Sequence, residues 1–555
     1  MLGPVTPDFP HGVASFDPTA TSVLLWTRTE AADSVHWTVG RDPELTDVVA
    51  SGRVAVDADA DHTAVVAVDE LDPATTYHYR FTVDGGASSP VGRTRTLPEG
   101  PTEGARLAVV ACADLSAAPL TVYRAVSGRD DLDLVLHLGD YVYEDDGSGG
   151  DIAVDPPHAL VTLDDYRRRY RQARADVDLQ GLHARFPFAC IWDDHDIADN
   201  AWTAGAKAHD PDEHGPWADR LAAARRARDE WLPIRRLDPD RDDVLWRSLP
   251  LGDLAELVIL DARLGGRDEQ VDSAEAPLDD PSRSLLSAEQ WDWAGERLTD
   301  RQRPWVLVAS QVPVSEMRLP LPDSVGDGDA PIDLESKLPL GYAVRDGVAL
   351  CTDQWDGYPR ERDRLVELLD RRGGGAVVLS ADVHSTWVFD GPFRTDGTPV
   401  AGELTGTAVT SAPMGARLGR AGRALADRLA ERRDHVRWVD LEHRGFLVVD
   451  VTRDRVRGEA WIVDAEDGAA RAERATAWEI GPDRGARWAE ASDDDDVSPS
   501  VVEGPERPRG ASGGPRPRRP RRLARAVARA AAVAAVVAVL RPVWRPILRR
   551  LRARS

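Results

Sequence analysis

Cysteine is scarce in this chain: three in 555 residues, Cys112, Cys190 and Cys351, none in a C-x-x-C pair. That excludes a disulfide scaffold and a thiolate zinc site, and it points to a reducing compartment. Lysine is scarcer, with only Lys207 and Lys337, so the basic charge is nearly all arginine. Long apolar runs are missing too. The longest, Ala530–Leu540, spans eleven residues between Arg529 and Arg541, well short of the ~20 that cross a bilayer as a helix. The opening Met1-Leu-Gly-Pro-Val-Thr-Pro-Asp8 has neither a basic n-region nor an apolar h-region. A cytoplasmic or membrane-associated location is therefore expected.

What is present argues for a folded, multidomain protein. Apolar residues make up 42% and tryptophan numbers 17, which excludes a disordered or fibrous chain. The length exceeds what one core serves, so two or more domains are expected. The net charge of −26 is uneven: from Pro505 to Ser555 fifteen arginines face one acid, Glu506, so this stretch carries +14 and the preceding 504 residues −40. So acidic a body repels nucleic acid, and no nucleic-acid role is expected. It suits metal cations or a salty environment. The basic tail could meet an anionic membrane surface.

Residues 1–100 read as an all-β sandwich. Short apolar runs recur at Ser22–Thr27, Ser34–Val39, Val48–Ala55, Thr63–Val68, Thr75–Val83 and Val91–Leu97. Within them, Leu71-Asp-Pro73-Ala-Thr-Thr-Tyr77 resembles the turn and tyrosine of fibronectin type III modules. Residues 101–480 read as an α/β domain. Buried-strand candidates (Leu107–Ala111, Leu132–Leu138, Phe188–Trp192, Leu254–Leu260, Trp305–Ala309, Ala376–Leu379) alternate with helical stretches such as Leu163–Ala175, Trp217–Trp231, Ser287–Leu298 and Arg360–Arg371. A hairpin, Gly445–Val451 with Val456–Val463, is expected to close it near 480. Residues 481–520, acidic and then rich in Pro, Gly and Arg, read as a disordered linker, and 521–555 as a basic amphipathic or disordered tail.

Polar clusters sit just past the ends of apolar strands. Val109-Val-Ala-Cys112 ends in a thiol; His137-Leu-Gly139-Asp140-Tyr141-Val-Tyr143-Glu144, Trp192-Asp193-Asp194-His195-Asp196 and Ser380-Ala-Asp382-Val-His384 follow three other runs. Ligands of open α/β sheets bind beyond the strand carboxyl ends. Taken singly each cluster has a structural explanation: a buried small thiol, loop chemistry or an acidic helix start. Four at equivalent positions outweigh it. Carboxylates, imidazoles, a phenol and a thiol converging there need cations to offset their cost. Cys190 and Cys351 read as core and loop residues.

At these motifs the chain resembles PhoD-type alkaline phosphatases, within the calcineurin-like metallophosphoesterases. The likeness starts at His11-Gly-Val-Ala-Ser15-Phe-Asp17-Pro18 and runs through Cys112, Gly139–Glu144 and Trp192–Asp196. Leu260-Asp261-Ala-Arg263, Trp355-Asp-Gly-Tyr-Pro359, Ser380–His384 and Arg444-Gly-Phe446 complete it. Phe16, Ala381 and Asp196 replace a usual Gly, Gly and Glu. The resemblance implies a two-sheet αββα core and a phosphate ester substrate. It implies an Fe³⁺ held by Cys112, Asp140, Tyr143 and His384, with Asp140 bridging to Ca²⁺ at Asp194 and Asp382. His195 would act at the leaving oxygen, and Asn200 would assist a cation or the phosphate. The expected function is hydrolysis of phosphomonoesters or phosphodiesters by a metal-activated water. The alternatives are a membrane-associated, phospholipase D-like phosphodiesterase and a non-catalytic binding protein on the same fold.

Overall fold

The computed structural model describes residues 7–271, 278–319, 352–417, 434–463, 470–492 and 500–505, with short pieces at 343–344, 347–349, 426 and 429–430. Cys351 and the 521–555 tail lie outside the described residues.

Two large mixed sheets dominate the described chain. At the centre of the first, Gly104–Val110, Leu134–His137, Pro187–Cys190 and Val13–Phe16 run parallel. Leu134–His137 and Pro187–Cys190 are buried at every residue, as parallel strands covered on both faces must be. The second sheet centres on Ala255–Ile259, Trp305–Ala309, Ala376–Ser380 and Gly402–Thr405, also parallel. The sheets face each other: Leu404 packs where Gly458 has no side chain, and Trp488 and Ile480 pack where Gly402 has none. On the outer face of the second sheet, Val258, Val306 and Val378 pack with Trp291, Leu298, Leu365 and Leu369, which lie on the helices Ala288–Thr299 and Pro359–Arg372.

Local chemistry sets the element ends. Thr162 and Asp165 form a reciprocal capping box at the start of Leu163–Arg174. Pro359 opens the helix Pro359–Arg372, and Gly373, at φ 84°, ends it in a left-handed turn that costs glycine nothing.

The N-terminal all-β part is present, but it is not separate from the rest. Its sheet of Ser34–Gly40, Val48–Ala55, Thr76–Thr82 and Gly92–Arg95 stands alone. Its other strands, Val13–Phe16, Val23–Arg28 and Thr63–Val68, extend the first large sheet, through Ser15 and Phe16 paired with Pro187 and Phe188. A buried fork fastens the seam. Arg247 donates Nε to Asp17 Oδ2 and Nη2 to Asp17 Oδ1, both at 2.7 Å, with the two side chains 2% and 0% exposed. Asp17→Ala strands that guanidinium and is expected to cost about 3–5 kcal/mol. Urea unfolding checks it; an unchanged midpoint would show the pair to be dispensable.

The expected boundary at 480 falls short. Arg471–Ile480 adds a strand beyond the hairpin, and Ala489–Glu490 and Val501–Glu503 pair with its free edge. Trp488 is buried, its backbone N–H donating to Asp390 Oδ1 at 2.8 Å. Residues 481–492 and 500–505 therefore belong to the folded body, not to a linker. An unpaired strand edge offers backbone partners to polar sequence as readily as to apolar.

Candidate metal and phosphoester site

Four strands deliver the four clusters to one place. Cys112 follows Gly104–Val110, Asp140 follows Leu134–His137, Asp193 and Asp194 follow Pro187–Cys190, and Asp382 and His384 follow Ala376–Ser380. The turns are tight. Cys112, Asp140, Asn200, Asp382 and His384 all have left-handed backbone, with φ of 58°, 55°, 55°, 72° and 49°. Such strain costs of order 1–3 kcal/mol per non-glycine residue and gathers at functional sites. Gly139 is required where it stands: a Cβ there would lie 2.3 Å from the Asp193 nitrogen.

Three ligand groups form a chain. Cys112, Asp140 and His384 have donor atoms within 4.8 Å of one another, as do Asp140, Asp194 and His195, and Asp193, Asp194 and Asp382. Asp140 belongs to the first two and Asp194 to the last two. Tyr143 joins the first: its hydroxyl donates to Asp140 Oδ2 at 2.7 Å and lies 3.3 Å from His384 Nε2. Ser411 Oγ donates to that phenol oxygen at 2.7 Å. Asn200 sits at the carboxylate-rich end. Its backbone N–H donates to Asp194 Oδ2 at 2.6 Å, and its amide nitrogen, turned toward Asp353, donates at 3.1 Å. All eight residues expected at the site are thus assembled.

His195 is the half-open member, 22% exposed against 4% for Glu144, whose Oε2 lies 2.7 Å from His195 Nδ1. The Tyr143 ring stacks on the imidazole at 4.2 Å. Burial works against charge on His195, but Glu144, Asp194 and Asp140 outweigh it and hold the imidazole well above its usual range. Its other nitrogen, Nε2, lies 3.7 Å from Asp199 Oδ1.

The donor set lacks enough positive charge. Burial pushes the Cys112 thiol and the Tyr143 phenol well up, with neighbouring carboxylates adding to it. Burial also raises Asp140 and Asp193, and it brings Asp382 to about 7 against the opposing pull of Arg263. Only Asp194 is held low, at about 2, where Arg263 and His195 overcome burial. Beside Asp382, the buried Gln354 side-chain oxygen Oε1 has no hydrogen-bond partner among the described residues, the mark of a place for an ion or water. The residues fit cations: a thiol, phenol, imidazole and carboxylate at one pole, oxygens at the other.

Several contributors carried no role in the sequence reading. Asp196 accepts from the N–H groups of Asp140, Tyr141, Val142 and Asp193 at 2.8–3.2 Å, tying two clusters together. Buried Arg169 donates to the Asp145 and Pro156 carbonyls, both at 2.9 Å, and to that of Tyr143. Arg263 pairs with Asp193, Asp353 and Asp382. Glu144, Asp193, Asp196 and Arg263 lay inside recognisable motifs. Asp353 carried no signal; only its place in space gives it a role.

Two family descriptions match the chain: PhoD-like phosphatase over residues 107–460, and PhoD-like phosphatase, N-terminal domain, over residues 3–98. Alkaline phosphatase D of Bacillus subtilis (strain 168) is 31% identical, over 84% of this chain and 80% of that protein. A solved structure, described as the structure of PhoD, superposes with a TM-score of 0.74 at 26% identity, covering 96% of this chain and 98% of that one.

Proposed function

The chain belongs to the PhoD-like phosphatase family and is a metal-dependent phosphoric ester hydrolase; from that premise we propose how its residues divide the work. Cys112, Asp140, Tyr143 and His384 hold an Fe³⁺, because a thiolate and a phenolate suit a small, highly charged transition metal. Asp140, Asp194 and Asp382 hold Ca²⁺, which takes hard oxygen ligands, and Asn200 lies where its amide assists. The reading rests on Asp140, the one carboxylate common to the thiol-bearing group and the His195 group.

Bound there, the cations supply Lewis-acid stabilisation of charge on the phosphoryl oxygens and lower the pKa of the attacking water. The protein supplies the rest. Glu144 fixes the ring of His195 through Nδ1 and favours its protonated form, which leaves the Nε2 proton for the departing oxygen. The Tyr143 ring braces the imidazole from one face. The facing sheets and the outer helix layer support an αββα metallophosphoesterase core. Tyr77, whose hydroxyl accepts the Asp72 N–H at 2.8 Å, supports a fibronectin type III-like N-terminal sandwich. A non-catalytic role is not favoured, since every expected site residue converges. Metal analysis of the purified chain, with assays on p-nitrophenyl phosphate and its bis-ester, tests the function and ranks monoester against diester. Absence of both activities in metal-loaded protein would refute it.

Colour gives a separate test of the iron pole. Both the thiol and the phenol are buried and hard to ionise on their own, so their deprotonation depends on the cation's charge. Concentrated protein is expected to show a visible ligand-to-metal charge-transfer band. Tyr143→Phe should shift or bleach it, and Cys112→Ser should alter it separately. A colourless, fully active enzyme holding only calcium would remove iron from the mechanism.

A further inference from the structure

Arg263 stands inside the carboxylate-rich pole as a built-in cation. Its side chain is 0% exposed. Nη1 donates to Asp353 Oδ2 at 2.6 Å, Nη2 to Asp382 Oδ1 at 2.8 Å and Nε to Asp193 Oδ1. Nη2 also lies 3.6 Å from Asp194 Oδ1. Arg267, equally buried, takes Asp353 Oδ1 at 2.5 Å. Four carboxylates thus share two guanidinium groups. With its donors committed to acids and no surface open, Arg263 is not placed to grip a phosphate. The thiol-bearing pole is built differently: the Asp140 and Tyr143 side chains bond to each other, to Ser411 and to the His195 N–H rather than to an arginine.

We propose that Arg263 is a positioning residue and resident counter-ion of the carboxylate pole: its fork holds Asp193, Asp353 and Asp382 in place, and its charge weakens that pole's grip on a divalent cation. The cation held by Asp194 and Asp382 is thereby the exchangeable one of the pair. Arginine suits the task because its planar fork reaches several carboxylates at once and keeps its charge when buried. The pole stays assembled without a divalent ion, because the guanidinium already offsets part of the acid charge. The inference rests on the reading that Asp194 and Asp382 hold an oxygen-preferring cation.

The experiment follows the thermal midpoint of chelator-treated protein against calcium concentration, with iron content measured in parallel, for the parent, Arg263→Gln, Arg263→Lys and Arg267→Gln. A cation that binds the folded state raises the midpoint as it saturates. Arg263→Gln should melt lower than the parent without calcium, yet gain more from it. Its half-saturating calcium should be at least about tenfold lower, since a like charge in contact with Asp382 and 3.6 Å from Asp194 has been removed. Arg263→Lys, which keeps the charge, and Arg267→Gln, which touches neither Asp194 nor Asp382, should half-saturate where the parent does, and iron content should hold throughout. A merely structural arginine would lower the midpoint equally at every calcium concentration, and that result overturns the inference. A parent that ignores calcium overturns the underlying metal reading and this inference with it; a responsive parent matched by Arg263→Gln overturns the inference alone. Arg263→Gln recovered folded only with calcium present counts in its favour. If that variant folds under neither condition, Arg263→Lys decides, and a half-saturating concentration moved away from the parent's overturns the proposal.

Discussion

Asp140→Ala is expected to lose at least about a thousandfold in kcat/KM, the several kcal/mol that charge stabilisation at a metal centre provides. No neighbour can substitute. Asp140 Oδ2 accepts the Tyr143 hydroxyl at 2.7 Å, and Oδ1 accepts the His195 backbone N–H at 3.2 Å. The carboxylate therefore faces both the thiol-bearing pole and the His195 group, and its left-handed backbone at φ 55° sets that aim. Asp140→Asn, which keeps the shape and loses the charge, should fall nearly as far. Kinetics on p-nitrophenyl phosphate and metal content on the same preparations check both. A variant turning over within tenfold of the parent would place the chemistry elsewhere.

His195→Ala should fail differently. Removing a general acid costs typically 10²–10⁴ in rate, and the loss should fall on kcat while bound metal stays near parental levels. The geometry separates the two outcomes. His195 shares a group with Asp140 and Asp194, but its Nδ1 is taken by Glu144 and its ring is partly open, so losing it leaves both carboxylates in place. A proton donor matters most when the leaving oxygen is basic. The defect should therefore be larger on an alkyl phosphate than on p-nitrophenyl phosphate, whose leaving group departs readily as the anion. Equal defects on both esters would argue against proton donation. Wholesale loss of metal would make His195 a ligand instead.

Much of the site was legible because its signals are local. Each cluster follows a short apolar run, and strand ends in an α/β sheet project residues into a shared crevice, so the clusters at Cys112, Asp140–Glu144, Asp193–Asp196 and Asp382–His384 could be picked out one strand at a time, while the family resemblance implied which of their residues are ligands. The helices were legible for the same reason: Trp217–Trp231 falls where periodicity put it, and Leu163–Arg174 ends one residue short. What failed to show was whatever depends on a partner distant in sequence. Val13–Phe16 has buried residues on both faces and no alternation to mark it; it pairs with nearby Val23–Arg28, but only its parallel pairing with Pro187–Cys190 places both in the large sheet. Val501–Glu503 follows an acidic run and counts as a strand only because Arg471–Ile480 left an edge open.

By itself, then, the sequence determined which residue types stand at the strand ends, and through them the chemistry this chain can attempt. Tertiary structure alone decided the electrostatic balance of that chemistry. Asp353 has no motif, and Arg263 lies 70 residues from Asp193 and 119 from Asp382, so no local pattern could pair them. Charge compensation in a buried site acts through space at a few ångströms, and sequence separation carries no record of that distance.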